Sequence, residues 1–314
     1  MKKRKSFLGI GLRGLAMGIA EVIPGVSGGT IALITGIYER LLQSIKAFGP
    51  IAYKAFRSNG FRGLWFAVNG PFLLSLMIGM ACGLVAGVFG ISHILENYPP
   101  ILWAFFFGLI ISSSIYLGRT VKWNGQAVIA LLAGVGIAFW ITVVSPSQGS
   151  ESLLVVFGAG ILAISAMLLP GISGSFVLLL LGMYTLVISS FKGVLETGEW
   201  AYLKVIIVFA MGCLVGLAGF SRLLTWLLRR YVNPTMAILT GFLVGSLNKI
   251  WPWRNVIEFR QNSKGLMVPF RETNVLPGQY EGDPLVVLAV ILIVVGFFTV
   301  FAIERWGRGI DKES

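Results

Sequence analysis

Apolar residues in this chain fall in long runs, not in the two-residue or 3.6-residue stripes of half-buried strands and helices. Runs over 71–91, 101–117, 126–145, 203–227, 234–250 and 284–304 each reach the roughly 17–25 residues that carry a helix across a bilayer. The polar stretches "SHILENYPP", "GRTVKWNG", "SPSQGSE" and "RRYVN" separate them, and a long polar loop runs from Lys249 to Asp283. Two further apolar regions, 7–37 and 153–188, are interrupted halfway by Pro and Gly. Each half is about 14–18 residues, which suits a hairpin that dips into the membrane and returns to its own side.

The interrupting phrase is written twice. "PGVSGGTIALITGIYERLLQSIKAF" begins at Pro24 and "PGISGSFVLLLLGMYTLVISSFKGV" at Pro170. A shift of 146 residues aligns Gly36 with Gly182, Tyr38 with Tyr184, Ser44 with Ser190 and Lys46 with Lys192. Three spanning runs lie between the two broken regions, and three is odd, so the second hairpin is expected to enter from the opposite face. Inverted repeats of this kind are a design of secondary transporters. "GMACGL" at Gly79 also resembles "GCLVGL" at Gly212, both with the small-residue spacing of close helix contact. The expected fold is an all-α polytopic membrane protein, a single membrane domain over 1–314 with two inverted-topology repeats. Each repeat, 7–117 and 153–250, is a broken re-entrant helical hairpin plus two transmembrane helices; 126–145 is a linker helix and 284–304 a final transmembrane helix.

Composition agrees. Of 314 residues, 56% are hydrophobic and 12% charged, against about 25% charged in soluble domains. The net charge of +12 reads as a topology signal and as attraction to anionic headgroups, and no soluble basic domain is present to bind nucleic acid. Lys and Arg gather in the N-terminus, 38–69, 118–125, the turn near Arg229 and the C-terminal tail, while loops 92–100 and 146–152 carry none. Both termini are therefore expected in the cytoplasm. The loop 249–283, with five basic residues beside Glu258, Glu272, Glu281 and Asp283, departs from that bias, as long loops do. The basic start "MKKRKSF" is followed by no cleavage site, so no cleaved signal peptide is expected. Segment 38–69, with Phe48, Tyr53, Phe56, Phe61, Trp65 and Phe66 among its cations, reads as an interfacial helix, and "KIWPWR" as an aromatic belt. Cys82 and Cys213 read as small core residues and His93 as a lone loop histidine, so neither a metal site nor a cofactor is expected.

The chemistry lies in the breaks. Unpaired backbone N–H groups inside a membrane must face protein or a wet cavity. Pro24 ends the first half-helix, Gly25, Gly28 and Gly29 allow close approach, and Ser27 and Thr30 can cap the next one. Such a helix start favours an anion, particularly phosphate. Gly171, Ser173, Gly174 and Ser175 form the related copy, and the two are expected to meet near the midplane. Arg13 and Glu21, eight residues apart on roughly one helical face, are ionisable groups at membrane depth. Arg13 is read as a phosphate ligand or as a snorkelling cation. Glu21 is read as a carboxylate coupled to a proton or another cation, or as a structural polar group. Ala159 and Met167 stand at the matching places in the second repeat.

"GLAMGIAEVIPGVSGGTIALITGIYERL" with "LLPGISGSFVLLLLGMY" resembles the polyprenyl-phosphate transporter family, formerly a bacterial domain of unknown function, over about residues 6–306. The family often has Asp where this chain has Glu21. The resemblance implies a flippase of the bacterial inner membrane that returns undecaprenyl phosphate, or a related polyprenyl phosphate, to the cytoplasmic leaflet. It implies no enzyme. A prenyl-diphosphate phosphatase embedded in the membrane and a small-anion secondary transporter are the competing readings. The phosphatase wants clustered carboxylates or a nucleophile with its base, and Glu21 has no acidic neighbour on its face.

Overall fold

A computed structural model describes residues 7–21, 27–144, 149–150, 152–261 and 267–313. The first half runs through α1 (Phe7–Glu21), α2 (Gly28–Ile34), α3 (Tyr38–Ala47), α4 (Pro50–Ala67), α5 (Gly70–Asn97), α6 (Pro99–Gly118) and α7 (Gly125–Val143). The second runs through α8 (Leu153–Leu168), α9 (Gly174–Leu180), α10 (Tyr184–Glu196), α11 (Trp200–Arg230) and α12 (Val232–Ser246). Strands β1 (Arg254–Gln261) and β2 (Met267–Asn274) follow, and then α13 (Val286–Glu313). Gly70–Gly87, Pro99–Gly118, Gly125–Val143 and Trp200–Arg230 are long and apolar enough to cross a membrane, and α8, α12 and the stretch Val286–Ala302 are shorter apolar helices. Large side chains such as Leu132, Trp140, Leu214 and Phe298 point outward, more than half exposed, as lipid-facing residues do. The chain is a multi-pass membrane protein.

Two boundaries differ from expectation. α5 continues through the stretch expected as a loop and carries the backbone of His93 within the helix. It stops only at Tyr98 (φ −138, ψ 53), because Pro99 excludes a helical conformation at the residue before it. The polar loop after Lys249 is not featureless: β1 and β2 pair antiparallel, Arg254 opposite Asn274, with an irregularity between Val256 and Phe259. This sheet is the one departure from a helical fold among the described residues. It is pinned at its base by indole N–H groups, Trp251 donating to the Val275 carbonyl (2.9 Å) and Trp253 to that of Pro284 (2.8 Å).

Lipid supplies no hydrophobic drive between helices, so they associate through close backbone packing at small residues. On α1 and α5 the backbone of Gly11 fills the space that a Cβ at Gly79 would need; Leu15 does so for Gly83, and Leu76 for Gly14. On α8 and α11 the same is true of Phe157 for Gly212, Ile161 for Gly216 and Phe209 for Gly160. Adding 146 to the α1 numbers and 133 to the α5 numbers converts each of the first three contacts into one of the second three. The remaining helices exchange partners. α6 packs on α13, through Gly108 against Ile293 and Gly296 against Phe105. α12 packs on α7, through Gly241 against Leu131 and Gly134 against Ile238. These crossings also correspond, α6 to α12 by a shift of 133 and α7 to α13 by a shift of 162. The helices expected as linker and final addition thus make equivalent contacts.

Candidate functional site

The break after α1 includes Val22 to Val26, so Pro24 and Gly25 lie outside the described residues. From Ser27 onward the local structure follows from the sequence. Ser27 has extended backbone and its Oγ accepts the Gly29 N–H (3.1 Å), the cap expected of a serine at that place. α2 then turns back along α1: a Cβ at Gly28 would lie 3.4 Å from the Met17 carbonyl. Its counterpart at Gly174 would lie 2.6 Å from that of Ala163, 146 residues further on. Both short helices end alike. Gly36 (φ +70) and Gly182 (φ +67) take the left-handed conformation that ends a helix. The next N–H groups, of Ile37 and Met183, donate to Ala32 (3.0 Å) and Leu178 (2.9 Å). The chain bends by 112° from α9 to α10. Each phrase therefore makes a short helix, α2 buried and α9 partly so, folded back on the one before it.

The two breaks touch. Thr30 Oγ1 accepts the Gly171 N–H (2.9 Å), and both residues are buried. Ser27 Oγ donates to the Met167 carbonyl (3.3 Å). The Tyr38 hydroxyl, at the start of α3, donates to the Leu168 carbonyl (2.6 Å). These bonds satisfy carbonyls at the end of α8 that have no intrahelical partner. Gly171 (φ +82) has no room for a side chain, since a Cβ there would sit 2.9 Å from the Phe242 carbonyl of α12. The structure thus brings Ser27, Gly28, Gly29 and Thr30 of the first phrase to Gly171 and the end of α8.

The copies are not equivalent in chemistry. Glu21 Oε1 accepts the Gly28 N–H (2.8 Å), so a carboxylate from α1 occupies the place at the start of α2 where an anion is favoured. Met167, the matching residue, offers no such group. Ser173 makes no side-chain cap on α9; its hydroxyl pairs with that of Ser175 at 2.8 Å. Ser173 and Gly174 are buried, and Ser175 is exposed. Arg13 is buried in α1, 4% exposed, one residue before the Gly14 contact with α5.

Sequence reasoning missed two features. Tyr38 was legible only as a matched position, and its pairing with Leu168 needs the two halves folded together. The other is a cavity of about 320 Å³ between the β-hairpin, the end of α7 and α9, lined by Lys249, Arg254, Arg271 and Glu272. "KIWPWR" carried a signal for it, a basic residue directly after a pair of tryptophans. Among the described residues no group of three or more His, Cys, Asp and Glu could hold a metal ion.

Comparison with known proteins finds relatives along most of the chain. The chain is 40% identical over 311 residues to the polyprenyl-phosphate transporter of Vibrio cholerae serotype O1, covering 98% of this chain and 99% of that one. It is 33% identical over 256 residues to the polyprenyl-phosphate transporter of Staphylococcus aureus, covering 77% and 85%. No solved structure matches. The undecaprenyl phosphate translocase-like family matches residues 17–268, which contain both breaks and their contacts, and the chain belongs to that family.

Proposed function

We propose that the chain moves undecaprenyl phosphate, or a related polyprenyl phosphate, between bilayer leaflets and recycles it to the cytoplasmic leaflet of the bacterial inner membrane. The observation that carries this reading is the direct bonding of the two breaks, Thr30 to Gly171 and Ser27 to Met167, in a chain whose relatives are named polyprenyl-phosphate transporters. Moving a bare phosphate through hydrocarbon would cost many kcal/mol, because a charge must be desolvated. A protein path lined with donors removes most of that barrier, while the prenyl tail stays in lipid.

The exchanged pairing of α6 with α13 and α12 with α7 supports two halves related by a two-fold axis, since such an axis makes every contact reciprocal. Three helices long and apolar enough to cross a membrane, α5, α6 and α7, lie between the hairpins. An odd number of crossings makes the halves antiparallel, with the axis in the membrane plane. On this reading α7 and α13 are the third helices of two equal repeats, which interlock across the axis.

The headgroup site proposed here comprises Arg13, Gly25, Ser27, Gly28, Gly29 and Thr30 from the first half, and Gly171, Ser173, Gly174 and Ser175 from the second. Glu21 supplies the coupling. Its carboxylate already bonds Gly28 N–H, so phosphate and ionised Glu21 compete for one donor and repel each other. The head then enters as Glu21 takes up a proton or pairs with a cation such as sodium, and leaves as Glu21 ionises. Gly28→Asp tests the site, because a Cβ there would lie 2.7 Å from Glu21 Oε1 and would bring a second carboxylate beside the first. Proteoliposomes carrying this variant should insert the protein normally yet fail to move a short-chain prenyl phosphate between leaflets. Full transport by that variant, or release of phosphate from a prenyl diphosphate by the native chain, would overturn the reading.

A further inference from the structure

We propose a second anion site, separate from the breaks: a cationic vestibule under the β-hairpin that takes a phosphate monoester head before it reaches α9. The proposal rests on the lipid-phosphate reading above and adds a recruitment step to it. If the halves are inverted, this cavity opens on the face opposite to the N-terminus, where the lipid would be collected.

The vestibule, about 320 Å³, is large enough for a phosphate head and lies at the lower end of small-ligand sites. Among the described residues three cations line it, Lys249, Arg254 and Arg271, against one carboxylate, Glu272. Three positive charges less one negative leave an excess of two, which matches the charge of about −1.5 to −2 on a phosphate monoester at neutral pH. Arg271 is exposed, but the other excess charge is held largely out of water. The Arg254 side chain is 6% exposed and Lys249 is 23% exposed, and both reach the same Glu272 oxygen, at 2.8 and 3.6 Å. Arg254 Nη1 also donates to the Lys249 carbonyl (2.9 Å), and its guanidinium lies 4.1 Å from the Trp103 ring centre. Its Nε is buried without a hydrogen-bond partner among the described residues.

Burial, with Arg254 adding to it, holds the Lys249 ammonium below the ordinary lysine range. Uncompensated buried charge is costly, and a fold that carries it beside an open cavity is poised for an anion. The location connects the vestibule to transport. Phe176 of α9 forms part of the wall, 4.9 Å from Lys249 Nζ, two residues beyond the start of the second short helix.

Farnesyl phosphate and inorganic phosphate share the headgroup chemistry, and titrating each into the purified full-length protein separates a lipid site from a free-phosphate site. The measurement uses the Gly28→Asp background, which by the reading above lacks the inner site. The signal is tryptophan fluorescence, since Trp103 carries Arg254. Farnesyl phosphate should bind in this background. Arg271→Gln and Lys249→Gln should each weaken it about 10-fold or more, the loss of one charge-assisted hydrogen bond. Arg271 is exposed, so its replacement leaves folding intact, to be checked by an unchanged thermal midpoint. Unchanged affinity in both variants would overturn the vestibule, as would inorganic phosphate binding as tightly as the farnesyl ester. Leaflet transport by the native chain is read separately, so failure there counts against the proposed function and not against this site.

Discussion

Glu21 and Thr30 each hold a backbone N–H of the breaks. The Glu21 carboxylate accepts from Gly28, a bond that an amide oxygen can also make. Glu21→Gln should therefore keep the break folded and keep headgroup binding, while transport loses its dependence on pH or on the coupling cation. Transport rates across a pH series in proteoliposomes measure this, and an unaltered pH profile would leave Glu21 a structural role. Thr30 Oγ1 accepts from Gly171 where neither residue meets solvent. Thr30→Val is nearly isosteric but strands that N–H, at a cost of about 1–3 kcal/mol. Thermal unfolding in detergent should show the loss in Thr30→Val and its recovery in Thr30→Ser, which restores the acceptor.

At the scale of the element, the broken hairpins stand on two glycine-lined crossings, α1 with α5 and α8 with α11. Gly83 and Gly216 hold the same place in the two crossings, against the Leu15 and Ile161 carbonyls. A leucine at either forces the helices apart, an overpacking cost of about 1–3 kcal/mol or more. Gly83→Leu and Gly216→Leu should lower the detergent unfolding midpoint by similar amounts, and a large inequality would deny the two crossings equal roles. The small-residue spacing around both glycines was legible in the sequence, because close approach demands small residues and little else. Which helix each one faces was not, since a Gly meets any backbone equally well.

For the whole molecule the testable quantity is orientation. In a chain with Cys82 and Cys213 replaced by Ala, a single cysteine is placed at one of two exposed positions, Trp123 between α6 and α7 or Glu281 after the β-hairpin. With the termini in the cytoplasm, a membrane-impermeant thiol reagent added to intact cells should label Glu281→Cys and spare Trp123→Cys. Labelling of both from outside would refute the proposed topology. The same arrangement puts the β-hairpin at the ends of α6, α7 and α9, where Asn248 donates to Thr142 Oγ1 of α7 (2.7 Å) and Arg254 stacks on Trp103 of α6.

The sequence by itself determined the membrane class, the positions of both breaks and the likeness of the two halves. These are local properties: runs of apolar residues, a Pro-Gly phrase that cannot continue a helix, and the same phrase repeated. It also marked Ser27 as a cap, since a serine before two glycines has one obvious donor to accept from. Only the tertiary structure decided what the breaks face. Thr30 lies 141 residues from its partner Gly171, and Tyr38 lies 130 from Leu168, separations at which no pattern along the chain chooses a partner. The partner exchange of α6 and α12 and the gathering of Lys249 and Arg254 around one carboxylate were likewise decided by packing. A charge in a polar loop has the same sequence signature whether water surrounds it or a fold encloses it.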